Sequence, residues 1–306
     1  MSASEDREAM ESEERSAKTS GTTPLSSFVE SWSPGPVRDE DPLPVGPVAA
    51  LSAVLDLPDA VAKNGDPLPP LWHWLYFLNW PVQGELGPDG HPRDGHFLPP
   101  IPQRQRMWAG GRCEIREPLR LGEPAERVSS LGALTAKQGR SGELLFVTER
   151  REFRQRGRVC LVEEQDSVYR SGRSAGQHPG ALDELALPAT DSPWQLPLHP
   201  DPALLFRFSA LTANAHRIHY DAPYCRDEEG YPSLVVHGPL LALLMLELPR
   251  RRAPDRWVRS LSYRLHQPVF GGEHLVACGT PAVEGAELRV ATHREERHAT
   301  ADVTFG

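Results

Sequence analysis

Little in this 306-residue chain marks it for export or for a membrane. Its four cysteines, Cys113, Cys160, Cys225 and Cys278, are widely scattered with no paired spacing. That excludes a disulfide framework or a cysteine-built zinc module and points to a reducing compartment. No apolar run reaches bilayer-spanning length, and no signal-peptide core follows the start. The first residues are acidic (Glu5, Asp6, Glu8, Glu11, Glu13, Glu14), the opposite of a transit peptide, so a cytoplasmic location is expected. Positive charge is also short: Lys and Arg number 33 against 42 Asp and Glu, a net charge of −9. This argues against wholesale nucleic-acid binding. Histidines cluster at His216, His219 and His237, but no carboxylate or thiol pattern completes a ligand set around them. No metal and no cofactor are expected.

Proline, in contrast, is abundant at 31 residues, which suggests long ordered connections or tails in place of a helical bundle. Residues 1–25 are Ser-, Glu- and Thr-rich and read as disordered, and the Pro-rich stretch 34–48 reads as a linker or extended arm. A helix is expected from Val48, ending near Pro58. The run Leu71–Leu78 is apolar nearly all round and follows two prolines, which predicts a short buried helix. Its aromatics, Trp74 among them, suit plain core better than an acyl pocket. Residues 79–106 carry Gly, Pro and charge without periodicity, and a connection this long is placed to overhang a ligand site.

Strand-like segments then follow at 112–115, 125–134, 144–154 and 158–169, and a second set at 258–267, 274–280, 287–294 and 299–304. The two sets share an echo. Glu117-Pro118-Leu119-Arg120-Leu121-Gly122-Glu123 matches Gln267-Pro268-Val269-Phe270-Gly271-Gly272-Glu273 at Pro, aliphatic, Gly and Glu, at a constant offset of 150 residues. A duplicated unit is therefore expected, each copy one long apolar helix wrapped by an antiparallel sheet. The expected divisions are an arm over 1–47, a first unit over 48–170, a polar linker over 171–200 and a second unit over 201–306. The arginines Arg250, Arg251, Arg252 and Arg256 suit a solvated helix C-terminus better than a phosphate site.

The chain is organised around residues 204–248. A strand-like run, Leu204–Leu211, places Phe206 and Phe208 on one face. A polar knot, Thr212 to Asp221, follows, then Leu234-Val235-Val236, His237-Gly238-Pro239 and an apolar run, Leu240–Leu246. Pro239 suits a first helical turn. Gly238 leaves backbone N–H groups unshielded at that helix start, where dipole and orphan donors favour an oxyanion. Two histidines and an amide a short loop upstream suggest chemistry on a carbonyl compound.

Asn214-Ala215-His216-Arg217-Ile218-His219-Tyr220-Asp221, with Gly230-Tyr231-Pro232 and Leu234-Val235-Val236-His237-Gly238-Pro239-Leu240, resembles the (R)-specific hydratase motif of MaoC-like hotdog proteins. It is most similar to the branch of mesaconyl-CoA hydratase and mitochondrial-type 3-hydroxyacyl-thioester dehydratases. The resemblance covers about 240 residues, from Leu68 onward. It implies an α+β double hotdog and a general base at His219, partnered by Asn214, with the Gly238 N–H polarising a thioester carbonyl. Asn214 stands where the broader motif has Asp, and Ala213 and His216 replace its Gly and Asn. An amide orients water but does not shuttle a proton. The expected substrate-binding side chains are His216, Arg217, Tyr220, Tyr231, His237 and Trp74.

The expectation is reversible hydration of a 2-enoyl thioester, carried by CoA, with a short branched dicarboxylic acyl group such as mesaconyl in view. Developing negative charge on the thioester oxygen needs fixed donors, and the attacking water needs a base titrating near neutrality, which favours histidine. Alternatives are a hotdog thioesterase and a non-catalytic acyl-thioester-binding protein. An acyl-CoA is the expected partner, with no nucleic acid and no membrane; a homodimer stays open.

Overall fold

The computed structural model describes residues 23–102, 104–139, 142–171 and 180–306. The disorder expected over 1–25 falls outside them up to residue 22, as does the middle of the expected linker, whereas Leu25 is buried and opens a short 3-10 turn, Leu25–Phe28. The strands are β1 (Val37–Asp41), β2 (Arg104–Ile115), β3 (Ala125–Gly139), β4 (Gly142–Gln155), β5 (Arg158–Ser171), β6 (Trp194–Leu198), β7 (Val258–Leu265), β8 (Leu275–Pro281), β9 (Gly285–Ala291) and β10 (Ala299–Phe305). The main helices are α1 (Gly46–Val54), α2 (Pro202–Leu211) and α3 (Gly238–Arg252). All strands join one ten-stranded antiparallel sheet in the order β1-β3-β4-β5-β2-β7-β10-β9-β8-β6. Read outward from its centre, that order is the same five-strand unit twice, the two second strands meeting at the seam. This is a double hotdog.

The echo falls at equivalent places in both units, in the turn after β2 and after β7. Gly122 (φ 76°) and Gly272 (φ 92°) make the left-handed residue there. Bridges Pro67–Arg120 and Val235–Phe270 tie each turn to the segment ahead of its unit's second strand. At the seam, Gly110 and Gly111 pair with Arg264 and Tyr263. A Cβ on Gly110 would sit 2.3 Å from the Tyr263 carbonyl oxygen, so only glycine admits the close approach.

The second unit has the expected core. Leu240 through Leu248 on α3 are buried together with Leu275, Ala277, Ala286, Leu288, Val290, Ala299, Ala301 and Val303 from the strands. The small residues on β8–β10 let the helix sit close in the hollow of the sheet. The C-terminal arginines are used structurally: Arg250 Nε and Arg251 Nε donate to the buried Glu247 at 2.8 and 3.0 Å. Arg256 lies over the Phe305 ring. No helix of the described residues is long and apolar enough to cross a membrane.

Three local expectations change. Leu204–Leu211 is helical, with Phe208 fully buried and Phe206 62% exposed, so the two rings do not share a face. Asp201 caps that helix, accepting from Leu204 N–H at 2.7 Å ahead of Pro202 at the first turn. The helix expected over 71–78 is a single 3-10 turn, Trp72–Leu75. His73 Nε2 and Trp74 Nε1 both reach the Glu163 carboxylate on β5, at 3.2 and 2.6 Å. The backbone breaks on both sides of the turn, with Leu71 in the left-handed region (φ 66°), Tyr76 extended and Phe77 left-handed again (φ 55°). Among the described residues, the first unit therefore has no counterpart of α3. Finally, β1 and β6 lie in the stretches expected to be arm and linker. Both are edge strands whose charged residues (Arg38, Asp39) or proline (Pro197) suit an edge and obscure the strand pattern.

Candidate active site

Helix α2 ends at Leu211, and the chain turns back through Ala213 in the left-handed region (φ 50°), the position where the broader motif carries glycine. Asn214 then makes an Asx turn, its Oδ1 accepting the His216 N–H at 3.0 Å. That bond commits one oxygen lone pair and leaves the amide hydrogens as Asn214's donors. A 3-10 turn, Arg217–His219, carries His219 inward.

His219 is 7% exposed. Its Nδ1 lies 2.7 Å from the Val235 carbonyl oxygen. A carbonyl only accepts, so Nδ1 carries the proton and the lone pair resides on Nε2. Burial, resisted by the Val235 bond, pushes the His219 pKa down to about 4. This departs from the expectation of titration near neutrality. The His237 ring stacks on His219 at 3.7 Å and 17°. His237 is fully buried, with Nε2 2.8 Å from Ser209 Oγ, and burial holds it neutral, well below its usual pKa. Helix α3 starts directly after this stacked ring, which makes the Gly238 N–H an orphan donor of its first turn. A Cβ on Gly238 would lie 2.4 Å from Leu265 Cδ1 and 3.2 Å from Trp108 Cε3. The glycine is thus required for packing.

Trp74, Trp108 and Tyr263 meet edge-on at 5.2 to 5.8 Å beside this helix start. Trp74 is tied to Glu163, whereas Trp108 Nε1 and the Tyr263 hydroxyl are buried with no hydrogen-bond partner among the described residues. Glu163, Trp108 and Ser209 escaped the sequence reading. Nothing in a strand pattern tells an inward carboxylate from an outward one.

The remaining expected binding residues divide. His216 stands edge-on to His219 at 5.7 Å. Arg217 is occupied elsewhere: it donates to Asp221 Oδ2 at 2.9 and 2.7 Å and to Pro88 O at 2.9 Å, and lies over the Tyr224 ring. Tyr220 is largely exposed and donates to Ala215 O at 2.9 Å. Tyr231 packs against Phe270. The long connection does reach the site, for the His91 ring sits 4.0 Å from that of His216.

A profile of the family Hydroxyacyl-thioester dehydratase type 2 matches residues 71–271. Over 231 residues the chain is 47% identical to mesaconyl-C(4)-CoA hydratase of Chloroflexus aurantiacus, covering 76% of this chain and 81% of that protein. Over 243 residues it is 27% identical to the mitochondrial hydroxyacyl-thioester dehydratase type 2 of Schizosaccharomyces pombe, covering 69% and 77%. A solved Mycobacterium tuberculosis structure described as a double hotdog fold aligns at a TM-score of 0.56 and 14% identity, over 91% of this chain and 97% of its own.

Proposed function

The chain belongs to the hydroxyacyl-thioester dehydratase type 2 family and is a hydro-lyase of acyl thioesters, and from that premise we propose how its residues add water to a 2-enoyl-CoA. His219 Nε2 takes a proton from water as the water oxygen bonds to the β-carbon. The π electrons move onto the thioester oxygen, which the Gly238 N–H and the positive end of α3 hold. The α-carbon then takes the proton back from His219, so one water is added overall. Asn214 steadies the attacking water through its amide hydrogens. The observation that carries this reading is the His219 Nδ1–Val235 bond, which leaves Nε2 as the unprotonated nitrogen of a ring stacked on His237, the residue ahead of the α3 start.

For the acyl group we propose a short dicarboxylic chain of the mesaconyl type, as in the 47% identical relative. Arg106, exposed on β2 with Nε 3.2 Å from Ser167 Oγ, adds its charge to the burial and neighbouring histidines that lower the His216 pKa. It would neutralise the free carboxylate. Under the same proposal residues 201–306 carry the chemistry, residues 48–170 supply acyl-chain surface, and the protein works in the cytoplasm, with a homodimer as the assembly to examine.

The test is turnover of mesaconyl-, itaconyl- and crotonyl-CoA. Loss of enoyl absorbance without thiol release is expected; free thiol would make the protein a thioesterase, and binding without turnover a carrier. Arg106→Gln should raise KM for mesaconyl-CoA and leave crotonyl-CoA unchanged. An equal effect on both substrates would remove Arg106 from recognition.

A further inference from the structure

The loop that reaches the site brings a second donor set beside it. Asp89 Oδ2 lies 3.1 Å from His91 Nδ1, and the His91 ring leans on His216 with 4.0 Å between centroids and 34° between planes. One ligand atom from each of Asp89, His91 and His216 falls within 4.8 Å of the others. Bonds of about 2.0–2.2 Å in tetrahedral geometry set donors roughly 3.3 Å apart, so small side-chain rotations close the set.

The backbone beneath these side chains is already fixed. Arg217 N–H donates to Asp89 O at 2.8 Å, and Gly87 N–H to His91 O at 2.7 Å. The His91 N–H donates to Asp89 Oδ1 at 3.0 Å. Gly90 has φ +89°, and a Cβ there would lie 1.9 Å from Ala215 O, so only glycine lets the two loops meet this closely. The protonation states also suit ligation. Burial, reinforced by His91 and His219, pushes His216 down to about 2. For Asp89 burial acts upward, but the bonds to His91 outweigh it and bring the carboxyl to about 2. At neutral pH the cluster thus offers a carboxylate at Asp89 and a neutral imidazole at His216.

We propose that Asp89, His91 and His216 bind one divalent cation of the zinc class, clamping the overhanging loop to the His216–His219 turn. Two imidazoles and one carboxylate suit Zn²⁺, Co²⁺ or Ni²⁺, whereas Mg²⁺ and Ca²⁺ call for oxygen donors. Because His216 stands 5.7 Å from His219, the bound cation fixes the loop beside the proposed base. Binding itself does not depend on the proposed reaction, so the two ideas fail separately.

The experiment is calorimetric titration of the chelator-stripped full chain with ZnCl₂, and with CoCl₂ for its visible spectrum. One equivalent should bind, with cobalt bands of nitrogen ligation and a rise in Tm. Asp89→Asn and His91→Gln, melting like the parent without metal, should each weaken binding at least roughly tenfold. His199→Gln is the control, since His199 and His274 form another stacked pair at 4.4 Å; it should retain the equivalent. Absence of binding, binding undiminished in both loop variants, or loss through His199→Gln alone would overturn the site.

Discussion

Replacing His219 by asparagine separates the roles of the two ring nitrogens. The asparagine amide nitrogen occupies nearly the place of Nδ1 and keeps the donation to Val235 O, 2.7 Å long in the parent. Nothing replaces Nε2. Turnover should fall by about 10²–10⁴, the usual scale for a general base, with the fold retained. In the parent, activity should be lost on acidification through about pH 4, where Nε2 takes up its proton; the residual rate of the variant should lack this limb. A stability signature accompanies it. The folded His219 titrates at about 4 against an ordinary 6.5, which corresponds to roughly 3 kcal/mol. Between those values the unfolded chain binds a proton that the native state refuses, so the parent loses stability as pH falls from 6.5 to about 4. The variant lacks that contribution. Its deficit relative to the parent at neutral pH should therefore shrink by up to about 3 kcal/mol near pH 4. Urea denaturation at both pH values, with turnover followed by enoyl absorbance, measures both effects. A variant as active as the parent, or a deficit that does not change with pH, would refute the assignment.

Asn214→Asp should preserve the Asx turn to His216 N–H and a measurable rate. It should move the acid limb upward from about 4, since a nearby carboxylate favours the imidazolium; a downward or absent shift in the pH–rate profile counts against the pairing. Gly238→Ala should lose about 1–3 kcal/mol through the Leu265 contact, and Leu265→Ala added to it should recover melting temperature. If turnover recovers equally, the glycine serves packing alone; if turnover stays low, it serves the carbonyl. Glu163→Ala strands His73, Trp74 and Gln165 and should cost about 3–5 kcal/mol in chemical denaturation. A loss below 1 kcal/mol would show that the carboxylate does not hold the 72–75 turn.

Where local chemistry and tertiary packing demand the same residue pattern, the sequence alone was sufficient. Gly238-Pro239 ahead of an apolar run marks a helix start whatever surrounds it, and α3 begins there. Alternating burial on β7 and β10 and the Gly-bearing turns made these strands legible, and the offset echo marked the same turn in both units. The cap signal Asp201-Pro202 was also present, yet Phe206 and Phe208 at strand spacing outweighed it. An eight-residue apolar run satisfies either period, and burial of only one ring settles the choice.

The polar knot Asn214–His219 was determined locally, since its turn is built from its own side chains and backbone. What the histidines can do was decided by the tertiary structure. The proton on His219 Nδ1 depends on Val235, and its low proton affinity depends on being sealed beneath His237 and the loop that carries His91. Asp89 and His91 reach His216 across a separation of more than a hundred residues, because backbone bonds between two loops hold them there. Likewise the His73 and Trp74 side chains of the 72–75 turn are held by Glu163, a residue of a remote strand. Such outcomes depend on distances between remote segments and on the exclusion of water between them, and neither is encoded in the spacing of residues along a chain.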